Sequence, residues 1–451
     1  MTNFNLTKGV DIPLLGKPNK VIKLIENHSL LKIHPVSIKG IKPKIMVKEG
    51  DKVKTGSILF YDKILDGVNF VSPGTGVVQY IKLGNRRVVE EICIDVSSKT
   101  DDYIESKTYS ESEISRIDKI KLTSILKEIG CWPYIRQRPF SKLANPNHSP
   151  KAIFISGYNS APHGLDYETI LNENNVGLQA GINSLNQLTE GSVHISVNGE
   201  SQNSVINNLN NVEIHQFTGP HPAGNVGIQI HHIDPINSGE VVWYVDIQDV
   251  MAIGKQLTSG KFSTNKYISI SGEGVNNPTY ARVNRGVTFQ TCLENNLKDG
   301  NFRLISGDVL SGKKADIEEG LGYYHNQISV IPEGGKRELI GWMKPGLNKY
   351  TLSNTYLSRL FVKKDWSLNT SLNGDSRAII PFGYWEKMLP MDIHPNYLIR
   401  SILARDIEEM EDLGIYECDE EDFTLCSFVC QSKFPVHEII REGLEYIEQE
   451  G

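Results

Sequence analysis

Apolar residues in the first hundred positions come in short runs, such as Ile45-Met46-Val47 and Ile58-Leu59-Phe60. Gly50, Gly56, Gly67, Gly74 and Gly76 interrupt them at turn spacing, which predicts short strands joined by tight turns. The period then changes. Ile114, Ile117, Ile120, Ile125 and Ile129 predict one helix over 114–129. From 152 the pattern alternates: strands at 152–155, 193–197 and 241–245, a helical stretch at 166–188, and a turn or short helix at 249–255. Alternating strands and helices predict an α/β layer with a mainly parallel sheet. Residues 266–331 return to strand and turn. Toward the C-terminus, Ile399, Ile402, Leu403, Ile407, Met410 and Leu413 predict a helix over 396–413 that Gly414 stops. Val436, Ile439, Ile440, Leu444 and Ile447 predict another over 436–450. The Gly- and Pro-rich stretch 333–346 marks the clearest boundary.

A chain of 451 residues has room for three or four domains, and 39 % hydrophobic with 22 % charged residues marks it as globular. Its net charge of −7 speaks against general nucleic-acid binding. No run approaches the roughly 20 apolar residues that a membrane helix needs, and the first eleven residues carry no signal-peptide core. The expectation is a cytoplasmic protein that reaches any membrane process through partners. The six cysteines, Cys93, Cys131, Cys292, Cys418, Cys426 and Cys430, are expected to be reduced and mostly buried. Cys426 and Cys430 are one helical turn apart, so their thiols could face one way. Three clustered cysteines fall short of the four an all-thiolate iron–sulfur cluster takes. His231 and His232 are adjacent, and in a strand would point to opposite faces. A cluster of His221, His231 and Asp234 is conceivable, with turn and core roles favoured. No Ser-His-Asp arrangement, phosphate loop or zinc-protease motif is visible.

The run Val47-Lys48-Glu49-Gly50-Asp51-Lys52-Val53-Lys54-Thr55-Gly56, followed by Ser72-Pro73-Gly74-Thr75-Gly76, resembles the barrel-sandwich domain of biotinyl and lipoyl carriers. Such carriers hold their cofactor on a hairpin lysine eleven residues before the glycine matching Gly76. That position is Leu65 here, with Lys63 two residues away. A structural adaptor is expected.

Three longer stretches carry a wider resemblance: Thr7-Lys8-Gly9-Val10-Asp11-Ile12-Pro13-Leu14-Leu15-Gly16-Lys17-Pro18, then Phe217-Thr218-Gly219-Pro220-His221-Pro222-Ala223-Gly224-Asn225-Val226-Gly227, then the 242–255 run from Val242-Trp243-Tyr244 to Gly254-Lys255. Together they resemble the A-subunit family of the sodium-pumping NADH:quinone oxidoreductases, over nearly the whole chain. That family resembles in turn the NADH-binding subunit of respiratory complex I and the C subunit of the Rnf complex. The resemblance implies an α/β multidomain protein: a barrel-sandwich domain over 1–105, a Rossmann-like α/β domain over 106–260, a β-grasp domain of the soluble-ligand-binding type over 261–335, and a helical domain over 336–451. Ser271-Gly272-Glu273-Gly274 and Ser306-Gly307-Asp308 match the β-grasp pattern.

The resemblance also shows what is missing. The glycine loop of the NADH-binding relatives is replaced by 130–142, where Trp132, Tyr134 and Phe140 would block a close backbone approach to a flavin phosphate. Their acidic run is replaced by Ser156-Gly157-Tyr158-Asn159-Ser160-Ala161-Pro162. The expectation is therefore a chain that binds no flavin or cluster, those groups lying in partner subunits. It would be a peripheral subunit on the cytoplasmic side of the bacterial inner membrane, contacting membrane and peripheral partners and offering a site for the quinone head. The alternative is a purely structural or regulatory docking role. The candidate quinone residues are Arg136, Arg138, Phe140 and Lys142. Arginine and lysine can donate charge-assisted hydrogen bonds to quinone oxygens, and a phenyl ring can stack on the head. A concavity left by the lost cofactor would receive it.

Overall fold

The computed structural model describes residues 1–451 apart from 27, 99–101, 202, 336–339, 354 and 361–364. Part of the expected 333–346 boundary thus lies outside the described residues.

The N-terminal module is two antiparallel sheets. One joins Leu30–Ile33, Val89–Asp95, Gly76–Leu83 and Lys52–Val53; the other joins Pro43–Ile45, Ile58–Asp62 and Asn69–Val71. Leu31, Leu59, Phe60, Phe70, Val78, Ile92 and Ile94 from the two sheets are buried and belong to one apolar core. Gly50 adopts φ +86° at the turn, where the Asp51 carboxylate accepts from the Lys48 amide at 2.7 Å. Lys63 is exposed, whereas Leu65 packs onto the core and its amide donates to Asp62 at 3.1 Å. The carrier-lysine position is thus a packing residue.

The opening residues do not stay with that module. Thr2–Asn5 runs parallel to Glu213–Thr218 at the edge of a seven-stranded sheet, and Asn19–Leu24 runs parallel to Thr279–Asn284 at the edge of a six-stranded one. Beside Thr2–Asn5, the seven-stranded sheet has four further parallel strands, Ile153–Gly157, Val193–Asn198, Glu213–Thr218 and Val242–Asp246. Counted along the chain their order is third, second, first, fourth. Leu178–Asn186 and Ile247–Ser259 cover one face and Val226–Ile233 packs on the other. Arg136–Arg138 extends the sheet antiparallel to Val242–Asp246.

Several expected elements are divided. The 114–129 stretch is two helices, Glu111–Ile114 and Lys119–Glu128, because Asp118 caps the second by accepting from the Lys121 amide at 2.9 Å. Leu122 and Leu126 form its buried face and Ile120 is 84 % exposed. The 166–188 stretch breaks at Gly177 (φ +88°), and 396–413 breaks at Arg405, with Asp406 capping Ile407–Asp412. The turn or short helix expected at 249–255 is the longer, thirteen-residue helix Ile247–Ser259, started by Asp246. His231 and His232 lie in a helix, Val226–Ile233, and not in a strand. The 436–450 stripe is as expected: Val436, Ile439, Ile440, Leu444 and Ile447 are all buried.

Candidate functional site

Parallel α/β sheets offer a crevice where the strand order reverses, at the carboxyl ends of the strands. Here that point lies between Ile153–Gly157 and Val242–Asp246, and the chain's own groups occupy it. The Asp246 carboxylate accepts from the Tyr167 hydroxyl and, at 2.8 Å, from the side-chain amide of Asn326, just before the strand Gln327–Pro332, while also capping the next helix through Gln248. Burial pushes Asp246 upward, and neighbouring Asp249 adds to the shift. Beside it Lys266 donates to the Tyr323 carbonyl at 2.8 Å, and Arg285 donates to Asp249 at 2.6 Å while lying 4.4 Å from the Tyr134 ring centre. Burial, with Arg285 second, pushes Lys266 down.

The stretch expected to stand over a vacated pocket is itself core. Trp132 and Tyr134 are buried; the Trp132 indole donates to the Ala144 carbonyl at 2.8 Å and meets Trp243 edge-on. This stretch thus contributes aromatic volume to the core. A shallow polar depression lined by Asn147, Lys151, Glu190 and Glu240 lies at the opposite, amino end of the strands.

The four sequence-nominated residues lie together, with different surroundings. Arg136 is clamped between Tyr244 and Tyr324, 4.4 Å from each ring centre. Arg138 has no exposed surface; it donates to Asp422 at 2.7 Å and Glu421 at 2.6 Å, with Asp419 at 3.6 Å. Burial alone would lower its guanidinium, but Asp422, Asp419 and Glu421 hold it well above its usual range. The expected free arginine fork is therefore already engaged, by carboxylates of the C-terminal region. Phe140 is half-buried, edge-on to Tyr416 at 6.4 Å. Lys142 lies 5.2 Å over the Phe140 ring and pairs with Glu448. Phe140 (φ +79°) and Ser141 (φ +47°) both sit in the left-handed region, which bulky side chains rarely adopt without a compensating cause.

The motifs at 7–18, 217–227 and 271–274 meet in space. Val10 donates to the His221 carbonyl at 2.9 Å, and the His221 amide donates to Asp11 at 2.9 Å. A Cβ on Gly9 would overlap the His221 carbonyl, and one on Gly16 would overlap the Gly272 carbonyl, so both positions need a bare backbone. Ser160 Oγ accepts from the Gly224 amide at 2.7 Å and lies 3.1 Å from His221 Nδ1. This Ser–His pair was not legible in the sequence, because 61 residues separate its members. Among the described residues His221 Nε2 is buried without a hydrogen-bond partner, and no carboxylate there completes a catalytic triad. His221 does not join His231 and Asp234: His231 pairs with Glu417 at 2.7 Å, and Asp234 with Lys151 at 2.7 Å. Cys418, Cys426 and Cys430 are all buried, and burial pushes the Cys418 and Cys426 thiols up. His194, Glu213 and His215 also lie close together, a grouping that only the Glu-x-His spacing signals in the sequence.

Acid sensitivity follows from His325, whose Nδ1 lies 2.8 Å from Ser306 Oγ. Burial, then Lys266, push this imidazole down to about 4. Between the unfolded value near 6.5 and that value, the unfolded chain holds a proton that the folded chain lacks. Stability from this group is full above roughly pH 6.5 and declines as pH falls toward 4, by about 3 kcal/mol. Thermal melting of wild type and His325→Gln between pH 7 and 4 measures it; the variant should show a shallower acid decline.

Residues 4–97, 117–262 and 267–316 match the families described as the NqrA N-terminal barrel-sandwich hybrid domain, the NqrA second alpha/beta domain and the NQRA C-terminal domain. The chain is 37 % identical over 449 residues to the A subunit of the Na(+)-translocating NADH-quinone reductase of Marinomonas sp. (strain MWYL1), covering 99 % of this chain and 100 % of the relative. It is 38 % identical over 452 residues to that of Vibrio anguillarum, with the same coverage. Three matches in one order, with relatives aligned end to end, establish that the chain belongs to the NqrA family, the A subunits of the Na⁺-translocating NADH-quinone reductases.

Proposed function

We propose that the chain is a peripheral subunit of a Na⁺-translocating NADH-quinone reductase, docked on the cytoplasmic face of the bacterial inner membrane and contributing a surface for the quinone head. The observation that carries this reading is the end-to-end similarity to the NqrA relatives. Among the described residues no helix is long and apolar enough to cross a membrane, so attachment would fall to partner subunits. Ile340, Met343, Leu347, Leu360, Leu372 and Phe382 are exposed within one stretch of the chain, which supports a partner-facing surface there.

We read the parallel sheet as Rossmann-like from its strand order, and the 265–332 region as β-grasp. The latter has an opening hairpin, the short helix Phe289–Leu293, and Gln327–Pro332 paired parallel to the first strand. The domain divisions at 105, 260 and 335 follow that reading, with residues 1–24 lent to the later sheets. Flavins and the iron–sulfur centre would belong to partner subunits; the buried Trp132 and Tyr134 and the side chains that fill the switch point support that reading. The purified chain should then be colourless, and the assembled complex should lose NADH-driven Na⁺ uptake into membrane vesicles when the chain is deleted. A stoichiometric flavin spectrum, or full transport without the chain, would overturn the reading.

For the quinone, Arg138 now serves as a structural ion, and the contact falls to the strained Phe140–Ser141 turn and Lys142. Lys142 must exchange Glu448 for a quinone oxygen, so Lys142→Gln should weaken a soluble quinone analogue by about 1 kcal/mol, roughly fivefold. Equilibrium binding to the assembled complex tests this. Unchanged affinity in both Lys142→Gln and Phe140→Leu would leave the purely structural docking role.

A further inference from the structure

Two parallel strands carry an unused set of donor atoms at their amino ends. Glu213 and His215 are two residues apart on Glu213–Thr218, so both side chains project from one face of the sheet. His194 lies on the neighbouring strand, in register with Glu213. The three therefore converge by register and not by a flexible loop. His194 Nδ1 is 3.1 Å from His215 Nε2 and 3.6 Å from Glu213 Oε2, and the three ligand atoms all lie within 4.8 Å of one another. Four-coordinate zinc, with bonds of about 2.0–2.1 Å, sets its ligand atoms roughly 3.3 Å apart, so small shifts of the side chains suffice.

We propose that His194, Glu213 and His215 form a binding site for a divalent transition-metal ion, zinc by preference, with a fourth position open to water. Two imidazoles and one carboxylate suit a borderline cation better than calcium or magnesium, which take oxygen ligands. Both rings are only 6 % exposed, and each is held in place: Phe154 stacks on His194 at 4.9 Å, and Phe4 lies 6.1 Å from His215. These contacts limit the movement of both rings and leave only small shifts to be made when the ion binds. The Glu213 side chain is 57 % exposed and gives the ion a way in, while Ser192 donates to its other oxygen at 2.6 Å and orients it. The nearby Asp234 is paired with Lys151 at 2.7 Å and stays outside the set. A bound ion would tie the two strands together at the edge of the sheet that Thr2–Asn5 completes.

The test uses the full chain, stripped with a chelator and titrated with zinc alone. One equivalent should bind, raising the melting temperature. Cobalt(II) in its place should give visible bands of a low-symmetry, four-coordinate site. Glu213→Gln changes an exposed side chain and leaves the fold intact, yet should weaken zinc by more than about 100-fold, beyond the cost of losing an outer-sphere partner. His215→Ala should abolish the cobalt bands. No binding to wild type, or equal affinity in wild type and Glu213→Gln, would overturn the site and leave His194 and His215 as a hydrogen-bonded buried pair.

Discussion

Arg138→Ala should destabilise the folded chain by roughly 3–5 kcal/mol, the cost of removing one partner from a buried ion cluster. The guanidinium faces Asp419, Glu421 and Asp422, and Asp422 is as fully buried as Arg138. Without it three carboxylates share one low-dielectric site, with Lys39, 3.9 Å from Asp419, as a remaining cation. Burial and mutual repulsion would then drive protons onto them or open the contact. The cluster joins the strand Arg136–Arg138 to the segment 419–422, so the loss should appear first as release of the C-terminal helices from the sheet. Urea unfolding measures the total, and hydrogen exchange in Val436–Glu450 measures the release. A cycle with Asp422→Asn isolates the pair, since replacing the carboxylate removes part of the repulsion that the alanine exposes. A loss below about 1 kcal/mol would mean the cluster is open to water. The same result decides how quinone binding in this variant is read: lost affinity with lost stability says nothing about contact, which is why Lys142 and Phe140 are the informative positions.

Gly254→Ala should cost roughly 3 kcal/mol or more, large for a single methyl group. Leu178–Asn186 and Ile247–Ser259 meet backbone to backbone. A Cβ on Gly254 would sit within the Gly177 carbonyl and against the Gly181 amide, and one on Gly181 would strike the Val250 carbonyl. These neighbours are main-chain atoms in helices or at a helix start, so no side chain can swing aside. Helix propensity favours alanine by up to about 1 kcal/mol, and the steric overlap outweighs it. Relief requires the helices to separate, which opens space around Ile182, Val250 and Ile253 in the core. Thermal melting gives the sign. A neutral or stabilising Gly254→Ala would show that the crossing can widen freely.

The sequence by itself determined the period of the strongly patterned elements, and the tertiary structure decided several of their boundaries. The 436–450 stripe and the strands near 153, 193 and 242 were legible because each shows its buried face locally. The bulk of the 130–142 stretch was legible too, and the structure buries Trp132 and Tyr134 in the core. The helices at 114–129 and 396–413 were drawn as continuous because an apolar stripe runs across Asp118 and Asp406, and a capping carboxylate overrides the stripe locally. Tertiary structure alone decided what each charge does. Arg138 was proposed as a ligand donor from its neighbours in sequence, but the carboxylates that engage it lie more than 280 residues away. Likewise His194 and His215 carry no shared motif, and strand register brings their nitrogens to 3.1 Å. Local pattern fixes which face of an element is buried; the energy of a buried charge depends on groups the chain brings in from elsewhere, and no local pattern records them.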